Sequence, residues 1–240
     1  MGFLKRLLLL AFLLPAIATQ AQTAAEVLAN YVAFTGGAPR WKAVRTIVSS
    51  GTYNYGGMVF PFTTYAKAPD RYKMMVPLKG KYFAQAYDGT KGWKIDAFKG
   101  ETKKTMLTGS EAKALLNEAD VELEPPFVDY EQKGHQAVLQ GMDSVNGVPC
   151  YKVLFTRKDS TVETCFFDAA TYALLKKQAV SKNPELDKAT LDIYYTDYRS
   201  VNGLKLPFKI ITTANGQTIL EITVKKITVN TPVPDAAFKP

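Results

Sequence analysis

The 240-residue chain is poor in the side chains that carry most metal and acid–base chemistry: it has one histidine and two cysteines. His135 follows Lys133-Gly134 at the start of an expected strand, where it reads as a surface turn residue rather than a general base. Cys150 and Cys165 stand singly, without the close pairing of zinc ligands. There is no G-x-S-x-G elbow and no phosphate-binding glycine loop. Asp88 precedes Gly89 as a turn residue and Asp96 ends a strand, so neither supplies an evident carboxylate pair for glycoside hydrolysis. A non-enzymatic protein without a cofactor is expected.

Two further absences narrow the class. The net charge is +8, yet lysines and arginines are scattered among acids such as Asp96, Glu101 and Glu163. Without a basic cluster interleaved with stacking aromatics, nucleic acid is not an expected partner, whereas diffuse attraction to anionic headgroups fits. No repeat of fixed period is present, which argues against propellers and solenoids. The apolar run from Leu7 to Leu14 falls short of the roughly 20 residues of a membrane span. It follows Lys5 and Arg6, is broken by Pro15, and precedes the small residues of Ala16-Ile17-Ala18 and Thr19-Gln20-Ala21. Residues 1–21 are therefore expected to be an export signal cleaved after Ala21, leaving residues 22–240 as one soluble domain, monomeric in solution.

What is present is strand. From Ala68 to Asp96 the chain reads as three or four short antiparallel strands, punctuated by Pro69, Gly80, Asp88-Gly89 and Gly92-Trp93. Tyr72, Met74 and Val76 alternate with Arg71, Lys73 and Met75 and give one sheet face large apolar groups. Upstream, strands over 46–55 and 58–67 meet at Gly56-Gly57, after a helix over 24–34 and a short turn or helix holding Trp41. Downstream, strands are bounded by Asn146-Gly147, Asn202-Gly203 and Asn215-Gly216. The expected fold is mainly β with inserted helices. About ten or eleven strands form a strongly curved antiparallel sheet, an incomplete barrel whose concave side the helices cover.

Phe60, Phe62, Tyr72, Met74, Phe83 and Trp93 lie on neighbouring strands and are candidate walls of a ligand cavity. The alternative is that they form a dry core against the helices. Thr108-Gly109-Ser110-Glu111 is a capping box for a helix whose stripe includes Ala112, Leu115, Leu116 and Ala119. Leu115 and Leu116 then belong either to ordinary core or to a movable lid. In the second half, a hairpin register with Cys150 opposite Cys165, Lys152 opposite Glu163 and Val153 opposite Val162 predicts a cross-strand disulfide; a register slip would leave two buried thiols.

Pro69, Asp88-Gly89 and Trp93, the helical segment after them, and the N-x-P-x-x-D-x-x-F-x-P ending at Asn230 to Pro240 together carry a resemblance. The chain resembles periplasmic lipoprotein carriers of the LolA and LolB type, nearest the outer membrane lipoprotein-sorting group of Bacteroidetes. The resemblance implies a periplasmic half-barrel with a helical lid over a hydrophobic cavity. It implies acyl chains of lipoproteins or lipids as ligands, with membrane-anchored donor and acceptor proteins and transient membrane contact. The chain departs from that pattern at Ala68, where the LolA pattern places a latch arginine before the proline. A second reading is an envelope adaptor that binds a protein partner through the sheet, with Tyr194, Tyr195 and Tyr198 as candidates.

Overall fold

The computed structural model describes residues 22–109, 111, 112, 115, 123–181, 186 and 188–240. The expected export signal and Leu116 lie outside them. Glycine-bearing turns and alternating apolar residues produce an uninterrupted run of antiparallel strands. These are β1 (Thr46–Tyr55), β2 (Met58–Lys67), β3 (Arg71–Leu78), β4 (Lys81–Tyr87), β5 (Gly92–Ile95), β6 (Thr105–Leu107), β7 (Gln136–Val145), β8 (Val148–Thr156), β9 (Val162–Asp168), β10 (Leu174–Val180), β11 (Thr190–Val201), β12 (Leu204–Ala214) and β13 (Gln217–Val229).

Among the described residues they form one 13-stranded sheet in the order β6-β5-β4-β3-β2-β1-β13-β12-β11-β10-β9-β8-β7. The count exceeds the sequence expectation, in part because the three-residue β6 sits in a stretch whose charge hides it. Each strand pairs with its chain neighbour, and the pairing of β1 with β13 joins the two meanders. Strands β6 and β7 are the free edges, so the sheet is an incomplete barrel.

Two helices precede the sheet. Helix α1 (Ala24–Phe34) begins with a capping box: Thr23 Oγ1 accepts from the Glu26 amide, and Glu26 Oε2 accepts from the Thr23 amide at 2.7 Å. Its buried stripe is Val27, Leu28, Tyr31 and Val32, with Phe34 left partly exposed. Helix α2 (Ala38–Lys42) buries Trp41, whose indole donates to Thr35 Oγ1 at 3.1 Å. Tyr31 stacks edge-on against Phe127 and Phe167, and Phe127 against Phe155 at 4.9 Å between centroids. Phe155 and Phe167 have no exposed surface. This end of the helix-bearing face is a dry core.

The opposite face is covered at β1–β5 by the last segment of the chain. Lys67 Nζ donates to Val233 O and pairs with Asp235, Lys73 Nζ donates to Ala237 O, and Trp93 Nε1 donates to Phe238 O at 2.7 Å. Phe238 is fully buried.

The cysteine hairpin corrects the sequence register. Val153 pairs with Cys165, Phe155 with Glu163 and Cys150 with Asp168. The turn closes over Arg157 to Thr161, with Arg157 N donating to Thr161 O at 2.8 Å and Ser160 at positive φ, so the loop is longer than expected. The slip is odd-numbered, which places the two cysteines on opposite faces of the sheet. Cys165 packs in the core beneath α1, and Cys150 packs with Val145 and Phe166 on the other face. Both are free, buried thiols rather than a disulfide.

Candidate functional site

Strand alternation sorts the candidate residues. Met74 stands opposite Thr64 and Gln85, Val76 opposite Phe83, Tyr72 opposite Ala66 and Tyr87, and Phe62 opposite Gly51. Phe60, Phe62, Tyr72, Met74 and Phe83 therefore share the helix-bearing face. Phe60, Phe62, Met74 and Phe83 come together with Val76, Phe208 and Val224 in one apolar cluster. Tyr72 and Leu115 belong to the adjoining core under α1, and Met74 packs against both clusters.

Trp93 is on the wrong face for this site. It pairs with Ala86, which pairs with Lys73, and it packs with Ala84 and Ile95 on the side covered by the terminal segment. Its ring lies beneath the Lys104 ammonium at 4.7 Å. Trp93 is an anchor for that segment rather than a wall residue.

The wall also contains groups that the sequence reading missed. Tyr53, opposite Phe60, has its ring centroid 5.3 Å from that of Phe60. Burial pushes its hydroxyl pKa upward. From the turn after β5, Phe98 leans edge-on against Phe60 at 5.2 Å and tilts over Phe83 at 5.8 Å, while half of its own surface stays exposed. Phe60, Met74 and Phe83 are themselves only half-buried, unlike the aromatics under α1. On β11, the Arg199 guanidinium lies 4.6 Å from the Phe208 ring and is held by Asp197 at 2.6 Å. Alternation on β12 and β13 could have identified Phe208 and Ile222. Phe98 could not have been found, because it lies in a single 3-10 turn over Ala97–Lys99, too short to carry an apolar period.

The helix after β6 meets the sheet through a small residue and an ion pair. Ala112 approaches Gly92, where an added Cβ would meet Ala112 Cα at 3.5 Å. Lys94 Nζ pairs with Glu111 at 3.0 Å, and that hydrogen bond raises the lysine's pKa. Leu115 is buried in the core. At the latch position, the Ala68 amide donates to Arg45 O and its side chain packs against the core.

Farther along the same face is an ionic triad in which the half-buried Arg157 and Lys177 flank the buried Glu163. Glu163 Oε2 accepts from Arg157 Nε and Nη2 at 3.2 and 3.1 Å, and Oε1 accepts from Lys177 Nζ at 2.9 Å. Burial pushes the Glu163 carboxyl up, but Lys177 and Arg157 outweigh it and hold the pKa below its ordinary value. Burial pulls Lys177 down, and Tyr195 and Glu163 reverse this and raise it. Burial also pushes the adjacent Cys165 thiol up to about 12, which removes it from thiolate chemistry at neutral pH. A charged residue sharing strand parity with Cys165 and Phe167 was the available signal for this site.

The three tyrosines considered as an adaptor surface do not share one. Tyr195 joins the core, Tyr194 packs near Phe166 on the other face, and Tyr198 donates to Leu174 O while meeting Phe34 edge-on. His135 is a turn acceptor, its Nδ1 receiving the Lys158 amide at 2.9 Å. Two hollows lie away from the wall. One of about 290 Å³ lies under the terminal segment beside Val48 and Met75, and one of about 470 Å³ lies between α1 and residues 127–132. Among the described residues no cluster of histidine, cysteine, aspartate or glutamate is placed to hold a metal ion, and no helix is long and apolar enough to cross a membrane.

No protein-family model matches the chain, and no curated protein matches it in sequence. Solved structures match its fold. A DUF1329 family protein from Desulfovibrio piger shares 15% identity over 91% of this chain and 98% of its own, with a TM-score of 0.61. A LolA superfamily protein from Nitrosomonas europaea shares 12% identity over 92% and 99%, with a TM-score of 0.57. A domain from Vibrio parahaemolyticus named for outer membrane lipoprotein sorting shares 11% identity over 90% and 95%, with a TM-score of 0.56. The chain thus has the fold of LolA-like proteins: an incompletely closed antiparallel sheet with helices along one face. At these identities the likeness is one of fold.

Proposed function

We propose that the protein is a non-catalytic carrier that is exported to the periplasm and holds the acyl chain of a lipid or lipoprotein against the helix-bearing face of its sheet. The observation that carries this reading is the wall in which Phe60, Met74 and Phe83 stay half-buried around the buried Phe62, closed at its rim by the half-exposed Phe98. Aromatic and thioether side chains accept apolar ligands of varied shape, because the thioether repacks at little cost. Each methylene taken from water contributes about 0.8 kcal/mol, so a tail lying along the wall binds without a polar code. The fold shared with LolA-like proteins supports the same reading, and so does the export signal expected at residues 1–21.

Lid closure in this reading rests on Leu115 and the Lys94–Glu111 pair rather than on an arginine before Pro69. The pair is solvent-facing and contributes at most about 1 kcal/mol, so apolar contact dominates and release is easy. Lipid extraction and native mass spectrometry of the exported protein test the proposal. Co-purifying acyl species, and displacement of a fluorescent fatty acid by lipid, are expected. Protein that binds no fatty acid, phospholipid or lipopeptide would favour the adaptor reading instead.

A further inference from the structure

The triad around the buried Glu163 has more positive charge than its one carboxylate neutralises. Arg157 and Lys177 both turn toward Glu163, leaving the group with a net single positive charge on the face that carries the wall. Lys177 sits opposite Ile193 and Cys165, and Tyr195 stands two residues along the same strand as Ile193. Stability is a poor reason for such an arrangement, since apolar replacements of buried ion triads are often as stable. An ammonium carries three donors and a guanidinium five. Glu163 takes two from Arg157 and one from Lys177, which leaves donors for a second anion.

A continuous apolar row connects this charge to the wall. Tyr195 is opposite Ile210, Ile210 opposite Ile222, Ile222 opposite Tyr53, and Tyr53 opposite Phe60. All five are half-buried. Four inter-strand steps of about 4.8 Å give a track of roughly 19 Å. An acyl chain filling half of a hydrocarbon core about 30 Å thick reaches roughly 15 Å, so one chain fits the track.

Resting on the carrier reading, we propose that Arg157 and Lys177, positioned by Glu163 beside Tyr195, dock the anionic head, carboxylate or phosphate, of a lipid whose tail runs along Ile210, Ile222 and Tyr53 to Phe60. Head recognition then sits at the end of the track remote from Phe98. This assigns a polar selectivity that the wall alone does not provide.

The test compares palmitate, hexadecanol and inorganic phosphate as competitors of the uncharged dye N-phenylnaphthylamine on the full mature chain. Palmitate is expected to compete at least tenfold more strongly than hexadecanol, the scale of one charge-assisted hydrogen bond. Phosphate alone is expected to leave the dye in place. Lys177→Met should bring palmitate to the level of hexadecanol without changing hexadecanol, and Lys177→Arg should retain the preference. Equal competition by palmitate and hexadecanol on the wild type overturns the head site while leaving the carrier reading intact. Failure of both to compete overturns the carrier reading and the head site together. Displacement of palmitate by phosphate at equal strength assigns the triad to a free anion and overturns the lipid assignment. Equal weakening of both ligands by Lys177→Met shows only a structural role and also overturns it. If Lys177→Met does not fold, the wild-type comparison and Lys177→Arg still decide.

Discussion

The two ends of the helix-bearing face use the same kinds of side chain to opposite effect. Under α1, Phe127 and Phe167 meet Tyr31 edge-to-face, Phe155 meets Phe127 in the same way, and all three phenylalanines are shut off from water. Across β1–β4, Phe60 meets Phe98 edge-on and Tyr53 at a tilt, Phe83 tilts against Phe98, and both Phe60 and Phe83 stay half-buried. Aromatic content alone does not make a core. A helix stripe whose shape fills the sheet does, and the wall has side chains without an equally complete cover.

The sharpest way to break this contrast is the same truncation at both ends. Phe155→Ala should cost about 3–5 kcal/mol in urea unfolding, because it opens a cavity among fully enclosed rings. Phe60→Ala should cost roughly half of that, since much of its surface is already wet. Equal losses would mean that the wall is ordinary core.

Leu115→Asp addresses the boundary between the two regions. A buried aspartate without a partner should cost about 2–5 kcal/mol or detach the helix locally. Hydrogen exchange separates the two results. Loss of protection confined to residues around Leu115 marks a lid, and loss throughout the sheet marks core.

Met74→Gln should weaken fatty-acid binding by about 1–3 kcal/mol while circular dichroism stays native, because Met74 lies at the join and is half-buried. Loss of the fold, with no change in binding by the remaining folded fraction, would move Met74 to the core side of the comparison.

A smaller effect concerns pH. The Glu163 pKa is depressed in the folded state, because Lys177 and Arg157 outweigh burial, so its stabilising contribution is present above the ordinary carboxylate value. It is lost as pH falls through the folded value. Wild-type stability should thus drop more steeply than that of Glu163→Gln on acidification below about pH 4.5. Parallel slopes would remove Glu163 from the acid response. The smallest effect is none at all: reductant should leave the melting temperature unchanged, and both thiols should react with alkylating agents only on unfolding. A reductant-dependent shift would restore a bridge.

Much of the fold could be read from local chemistry. The paired glycines at 56–57 and the Asn-Gly turns mark element ends, since each fixes a backbone conformation without help from distant residues. The alternation of Tyr72, Met74 and Val76 likewise survives folding unchanged. What failed depended on parity carried across connections. Trp93 changed faces because its side is set by two intervening turns, and Cys150 parted from Cys165 because the loop over Arg157 to Thr161 is longer than assumed. The triad is hidden for the same reason, since the shorter loop pairs Glu163 with Lys152 whereas the fold pairs it with Phe155.

The ladder between β1 and β13 has a consequence for how the molecule is made. Ile47 pairs with Val229 and Gly51 with Val224, so residues on the order of 180 positions apart must find each other after both meanders exist. The join is intolerant of error: a Cβ on Gly51 would collide with the Thr223 carbonyl oxygen. Tyr53, Ile222 and Val224 lie along this seam, so the wall is assembled only when the seam closes. Until then each meander displays half of a lipid-like apolar surface to whatever surrounds it. Closure of distant strands is slow compared with hairpin formation. The interval before closure is therefore the period of greatest aggregation risk, and a chaperone shielding β1 and β13 would protect the same residues that form the proposed ligand wall.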